Sequence, residues 1–123
     1  MNADIVVRRA LWISVPFNAA GAAAFAFPDS VGPLLGLPPQ APPLFRALLA
    51  LFILSFGGMY GYAASRPAIP RELVALGALG KSGAFLVTLL CALAGAAAPL
   101  TVFGFSGDLA LAAIYFWWPR ATR

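Results

Sequence analysis

Apolar residues dominate four long stretches of this chain, and polar or proline-rich breaks separate them. The runs are Ala10–Phe27, Phe45–Ala64, Leu73–Ala98 and Leu100–Trp118, at residues 10–27, 45–64, 73–98 and 100–118. Each approaches or exceeds the ~20 residues that a helix needs to cross a bilayer. The pattern predicts an all-α integral membrane protein: one domain over residues 1–123, folded as an antiparallel bundle of four transmembrane helices. The first run also fits a signal peptide, with a basic start and a small-x-small site at Ala24–Ala26. We read it as the first span.

Segment 28–44 interrupts the pattern with Pro28, Pro33, Pro38, Pro39, Pro42 and Pro43, which no long helix tolerates. Its Val31, Leu34, Leu35 and Leu37 remain apolar. An interfacial segment, or one folded over the mouth of the bundle, fits better than a solvated linker. Tyr60, Tyr62, Trp117 and Trp118 lie near run ends, where aromatic anchors gather at membrane interfaces. Gly57 and Gly61 form a small-xxx-small pair, and Gly77, Gly80 and Gly83 line the third run; both sets permit close helix approach.

Composition agrees with a membrane chain. Of 123 residues, 62% are hydrophobic and 10% charged, against about 25% charged in a soluble domain. Four spans leave no room for a soluble catalytic domain. The net charge of +4 is scattered along the run flanks, so it speaks for membrane orientation rather than nucleic-acid binding. Arg8, Arg9, Arg66, Arg71, Arg120 and Arg123 fall on one side of a four-span topology, and only Arg46 flanks the other. Both termini are therefore expected in the cytoplasm, with the protein in a cell inner membrane. With no histidine, a single cysteine (Cys91) and four acidic residues, no intrinsic metal or redox cofactor is expected.

Two charges break the apolar runs, Lys81 and Asp108. Ionisable groups at that depth are costly, pair with one another and mark functional sites. At 1.5 Å per helical residue, Asn18, Ser55 and Lys81 each lie about 13 Å from the cytoplasmic end, and Asp108 about 15 Å. The four belong to four different runs and share one depth near the midplane. Lys81, Asp108, Asn18 and Ser55 are thus the candidate ligand-binding residues, with Arg46 near the opposite surface as a further candidate. The plain structural alternative is an ion pair that only sets helix register.

Several short stretches resemble small four-helix bacterial membrane proteins of the DoxX-like kind: Gly36-Leu37-Pro38, Arg46, Gly57 to Tyr60, Gly80-Lys81 and Gly107-Asp108. That resemblance implies a small subunit of a quinol-linked oxidoreductase complex, and it singles out Arg46, Lys81 and Asp108. Without histidine, a redox role needs a partner that carries the cofactor. A more distant similarity is to sterol-isomerase-like bundles that enclose a lipid cavity, where only Asp108 fits.

The expected function is binding of a small amphipath, a quinone or a lipid, or service as an accessory subunit of a membrane complex. The expected partners are the bilayer and either a larger complex or further copies of the chain. An oligomeric transporter and a membrane isomerase are the alternatives. No catalytic residue is assigned.

Overall fold

The computed structural model describes residues 1–38 and 41–123. Four α-helices follow in order: α1 (Ala3–Ala26), α2 (Pro43–Ser65), α3 (Arg71–Leu93) and α4 (Pro99–Ala121), with a one-turn 3-10 helix at Gly32–Leu35 between α1 and α2. No strand occurs among the described residues. The helices α2, α3 and α4, each of 23 residues, are long and apolar enough to cross a membrane. At 1.5 Å per residue each extends about 34 Å, past the ~30 Å hydrocarbon layer.

Local chemistry sets the ends. Asn2 caps α1, its Oδ1 accepting from the Asp4 amide at 3.0 Å, so the helix begins well before the apolar run and carries Arg8 and Arg9 on its first turns. Prolines stand in the first turns of α2 and α4, where no amide partner is lost. The third helix stops at Leu93 rather than at residue 98, although the sequence stays apolar. Gly95 takes the left-handed conformation (φ 78°). The amides of Gly95 and Ala96 then bond back to the carbonyls of Ala92 and Cys91 at 3.0 and 2.7 Å, closing a Schellman cap.

Pairs α1–α2 and α3–α4 form two closely packed hairpins, with lesser contacts between α1 and α4 and between α2 and α3. Packing is uneven along the bundle. The buried cluster is Val7, Ala10, Leu11, Tyr60, Ala63, Ala64, Val74, Ala78, Leu111, Tyr115 and Trp118. All of it lies toward the end that holds both termini and the α2–α3 turn.

Polar ties reinforce that end. The Arg8 guanidinium donates to the carbonyls of Ala64, Arg66 and Pro67 at the C-terminus of α2, where a cation suits the helix dipole. Trp118 Nε1 donates to Asp4 Oδ1 at 2.7 Å, and Arg71 lies over the Trp118 ring. Tyr60 and Trp118 are therefore core residues, 1% and 3% exposed, and not the interfacial anchors expected from their place near run ends. Tyr62 and Trp117 are exposed as expected.

At the opposite end few side chains are buried. The 3-10 turn packs on α1 and α4, and Thr101 Oγ1 donates to the Gly36 carbonyl at 3.1 Å. The described part of segment 28–44 thus folds over the α1–α4 side of the mouth; Pro39 and Gln40 lie outside the described residues. Leucines and phenylalanines cover the outside of the bundle, among them Leu51, Phe52, Leu79, Leu86, Leu90 and Phe103. Such a surface suits lipid and would be an aggregation liability in water. The chain is a helical membrane protein.

Candidate functional site

Lys81 lies in the middle of α3 and Asp108 in the middle of α4, on the paired faces of one hairpin. Lys81 Nζ donates to Asp108 Oδ1 at 2.8 Å and to Asn18 Oδ1 of α1 at 3.0 Å. Asn18 Nδ2 in turn donates to the Ile53 carbonyl of α2 at 2.9 Å. The cluster therefore joins all four helices. Lys81, Asp108 and Asn18 are 2%, 8% and 9% exposed. An isolated charge at such burial costs several kcal/mol; a hydrogen-bonded partner of opposite sign offsets that cost in part.

Two aromatic rings complete the surroundings of Lys81. Its Nζ is 4.9 Å from the centre of the Phe17 ring and 5.0 Å from that of Tyr60, within range for cation–π attraction. Both rings sit against glycines. A Cβ on Gly107 would approach the Phe17 ring to 2.6 Å, and one on Gly77 would approach the Tyr60 ring to the same distance. Gly57 brings α1 and α2 together, since a Cβ there would lie 3.2 Å from that of Asn18. Of the glycines on α3, Gly77 and Gly80 meet rings of α2 rather than a neighbouring backbone, and Gly83 faces open space.

The cluster forms part of the wall of a cavity of about 240 Å³ between α1, α2 and the middle of α3 and α4. The rest of its wall is almost entirely apolar: Phe17, Phe25, Phe52, Phe56, Tyr60 and Phe105, with Leu49, Ile53, Gly21, Gly80 and Ala84. Phe52 and Leu49 are also exposed on the outside of the bundle, so the cavity opens sideways along α2. A second cavity of about 100 Å³ lies toward the 3-10 turn, lined by Ala20, Leu35 and Gly104, and shares Phe17, Gly21, Phe105 and Asp108 with the first. Leu35 of the 3-10 turn thus lines the smaller cavity, and no residue of that turn lines the larger one.

Two of the expected site residues stand apart. Ser55 has the right depth but the wrong face: it is exposed, and its hydroxyl donates to its own helix at the Leu51 carbonyl, 2.8 Å away. The second helix contributes Phe56, Tyr60 and the Ile53 carbonyl instead. Arg46 lines neither cavity, and its Nε donates to the Ala41 carbonyl at 2.8 Å.

Ser14 and Tyr115 were not foreseen as partners. Their hydroxyls lie within hydrogen-bonding reach of each other and of the Ala10 carbonyl in the buried core; with one proton each, the pair makes two of these three bonds at a time. Ser14 falls one helical turn before Asn18 on the same face of α1, a spacing visible in the sequence.

Among the described residues no group of three or more His, Cys, Asp or Glu side chains comes together to hold a metal ion. The arrangement offers one polar spot, compensated in charge, on the wall of an aromatic cavity. It can orient a head group against Lys81, Asp108 and Asn18, with the Tyr60 ring on the same wall. Compared with known protein families, curated proteins and solved structures, the chain matches none.

Proposed function

We propose that this protein binds a small amphipath of the quinone or lipid class from within an inner membrane, either for its own function or as an accessory subunit of a larger complex. In this reading α1 is the fourth span, its 24 residues reaching about 36 Å, and the arginine-rich end with both termini faces the cytoplasm. The observation that carries the proposal is the position of the Lys81–Asp108–Asn18 cluster on the wall of an aromatic cavity that opens toward the lipid. Ligand sites commonly combine apolar walls with a few convergent polar groups.

Size narrows the ligand. A volume of about 240 Å³ exceeds the ~150 Å³ of an apolar cavity that takes a benzene ring. It falls short of the ~300–1,000 Å³ of pockets that enclose drug-sized molecules. It fits a single-ring head group, with the tail leaving between α2 and α3 into the bilayer. A transport reading has less support, because Tyr60 is the only member of the buried terminal core that reaches a cavity wall. The DoxX-like resemblance and the quinol-linked role it implies agree with a ring-bearing ligand.

The test is photolabelling of the protein in lipid nanodiscs with a ring-headed amphipath that carries a photoreactive group on the ring. Labels should concentrate on 49–56 and 80–84 and disappear in Ala84→Phe. Labels confined to lipid-facing Leu86, Leu90 and Phe103 would refute the proposal.

A further inference from the structure

The free valences of the ion pair define what the head group must be. Lys81 directs two of its three ammonium N–H groups at Asp108 and Asn18, and the ring faces of Phe17 and Tyr60, 4.9 and 5.0 Å from Nζ, flank the third. It is the most deeply buried of the three polar residues. Asp108 is different. Its Oδ1 accepts from Lys81, whereas Oδ2 accepts from no group among the described residues. No fully buried side-chain polar atom lacks a partner among those residues. Oδ2 must therefore be reachable, and the spaces that Asp108 borders are the two cavities. A carboxylate oxygen is an acceptor only.

We infer that the cavity selects a neutral hydroxyl-bearing ring, a phenol or hydroquinone, which donates its O–H to Asp108 Oδ2, and discriminates against the corresponding quinone. This rests on the cavity reading above and makes its ligand class specific. A quinone presents only acceptors, and its carbonyl oxygen would face the carboxylate oxygen with no proton between them. Specificity of this kind, a buried polar group left unpaired by the wrong ligand, is stronger than specificity from apolar shape.

Charge separates the hydroxyl from an amine. Lys81 and Asp108 are together neutral, so a cationic head would bring an uncompensated charge to the bilayer midplane. The aromatic wall separates a ring from an aliphatic alcohol, since Phe17, Phe56 and Phe105 offer faces and edges for ring packing. A hydrogen bond to a charged acceptor accounts for a preference of about 10- to 100-fold.

The experiment is equilibrium titration of nanodisc-embedded protein, under anaerobic conditions, with a decyl-substituted hydroquinone. The matching quinone, the matching hydroquinone dimethyl ether, the ring-matched benzylamine and decanol are titrated alongside. The expected result is that the hydroquinone binds at least about tenfold more tightly than each of the other four. Ala84→Phe, which fills the cavity and leaves the ion pair intact, should abolish binding at unchanged helical content.

Equal or tighter binding of the quinone or the ether overturns the donor assignment and leaves the cavity reading standing. Tighter binding of the amine overturns the argument from neutrality, and equal binding of decanol overturns the ring. Failure of every compound, or binding that survives Ala84→Phe, overturns both this inference and the reading beneath it.

Discussion

Replacing Lys81 by Met removes the only buried cation among the described residues and keeps all but the last atom of the side chain's length. Asp108 then retains a carboxylate at 8% exposure without its 2.8 Å partner, and Asn18 Oδ1 loses its donor at 3.0 Å. Breaking a buried pair by removing one member costs about 3–5 kcal/mol, because an uncompensated group stays behind. The lost attraction to Phe17 and Tyr60 adds about 0.5–2 kcal/mol. Asp108→Leu should cost a similar amount, since it leaves the ammonium unpaired. The double variant Lys81→Met with Asp108→Leu leaves neither charge. By the same reasoning it should lie near the wild type, or above it by as much as about 1–4 kcal/mol. The assay is a double-mutant cycle by reversible denaturant unfolding in mixed micelles, followed by circular dichroism. The sum of the single losses should exceed the double by at least about 3 kcal/mol. Single losses within about 0.5 kcal/mol of wild type, adding simply in the double, would refute the view of Lys81 and Asp108 as a desolvated pair.

Four further outcomes follow from the same structure. Gly107→Ala places a Cβ 2.6 Å from the Phe17 ring, so overpacking should cost about 1–3 kcal/mol in thermal unfolding. Gly83→Ala, with nothing within 4 Å, should be neutral or gain up to about 1 kcal/mol from helix propensity. Ser55→Ala should change stability by less than about 0.5 kcal/mol and leave ligand titrations unaltered, because its hydroxyl serves only the Leu51 carbonyl. Arg8→Ala removes the side chain that caps the Ala64, Arg66 and Pro67 carbonyls. It should cost about 1–3 kcal/mol and accelerate hydrogen exchange in residues 62–68 more than in α3.

Much of this site was legible before any coordinates, and its omissions share a cause. Depth along a helix follows from counting residues, so Lys81, Asp108 and Asn18 fell into one layer. Rotation about the helix axis does not follow from counting, and Ser55 has the correct depth on the wrong face. The packing face of α2 is written in Gly57, Tyr60 and Ala64, which recur at helical spacing and are all buried. Aromatics near run ends suit an interface and a core equally well, so position alone does not separate the buried Tyr60 and Trp118 from the exposed Tyr62 and Trp117. Hydropathy alone also carried α3 through Ala98, whereas the positive φ of Gly95 ends it. The cavity itself has no sequence signature. It lies between the two hairpins, lined by all four helices, and so belongs to how the hairpins meet rather than to either one.

In the proposed complex a ring-bearing head group sits beside the Lys81–Asp108 pair in a cavity open to the bilayer. Solid-state NMR of the isotope-labelled protein in lipid, with an isotope-labelled hydroquinone, tests that placement most directly through dipolar contacts. The expected spectrum shows a Lys81 Nζ to Asp108 Cγ contact consistent with the 2.8 Å ion pair. It also shows ring contacts to Asp108 and Phe56. Ring contacts restricted to Leu86, Leu90 or Phe103, or a Lys81 Nζ with no Asp108 contact, would contradict that placement.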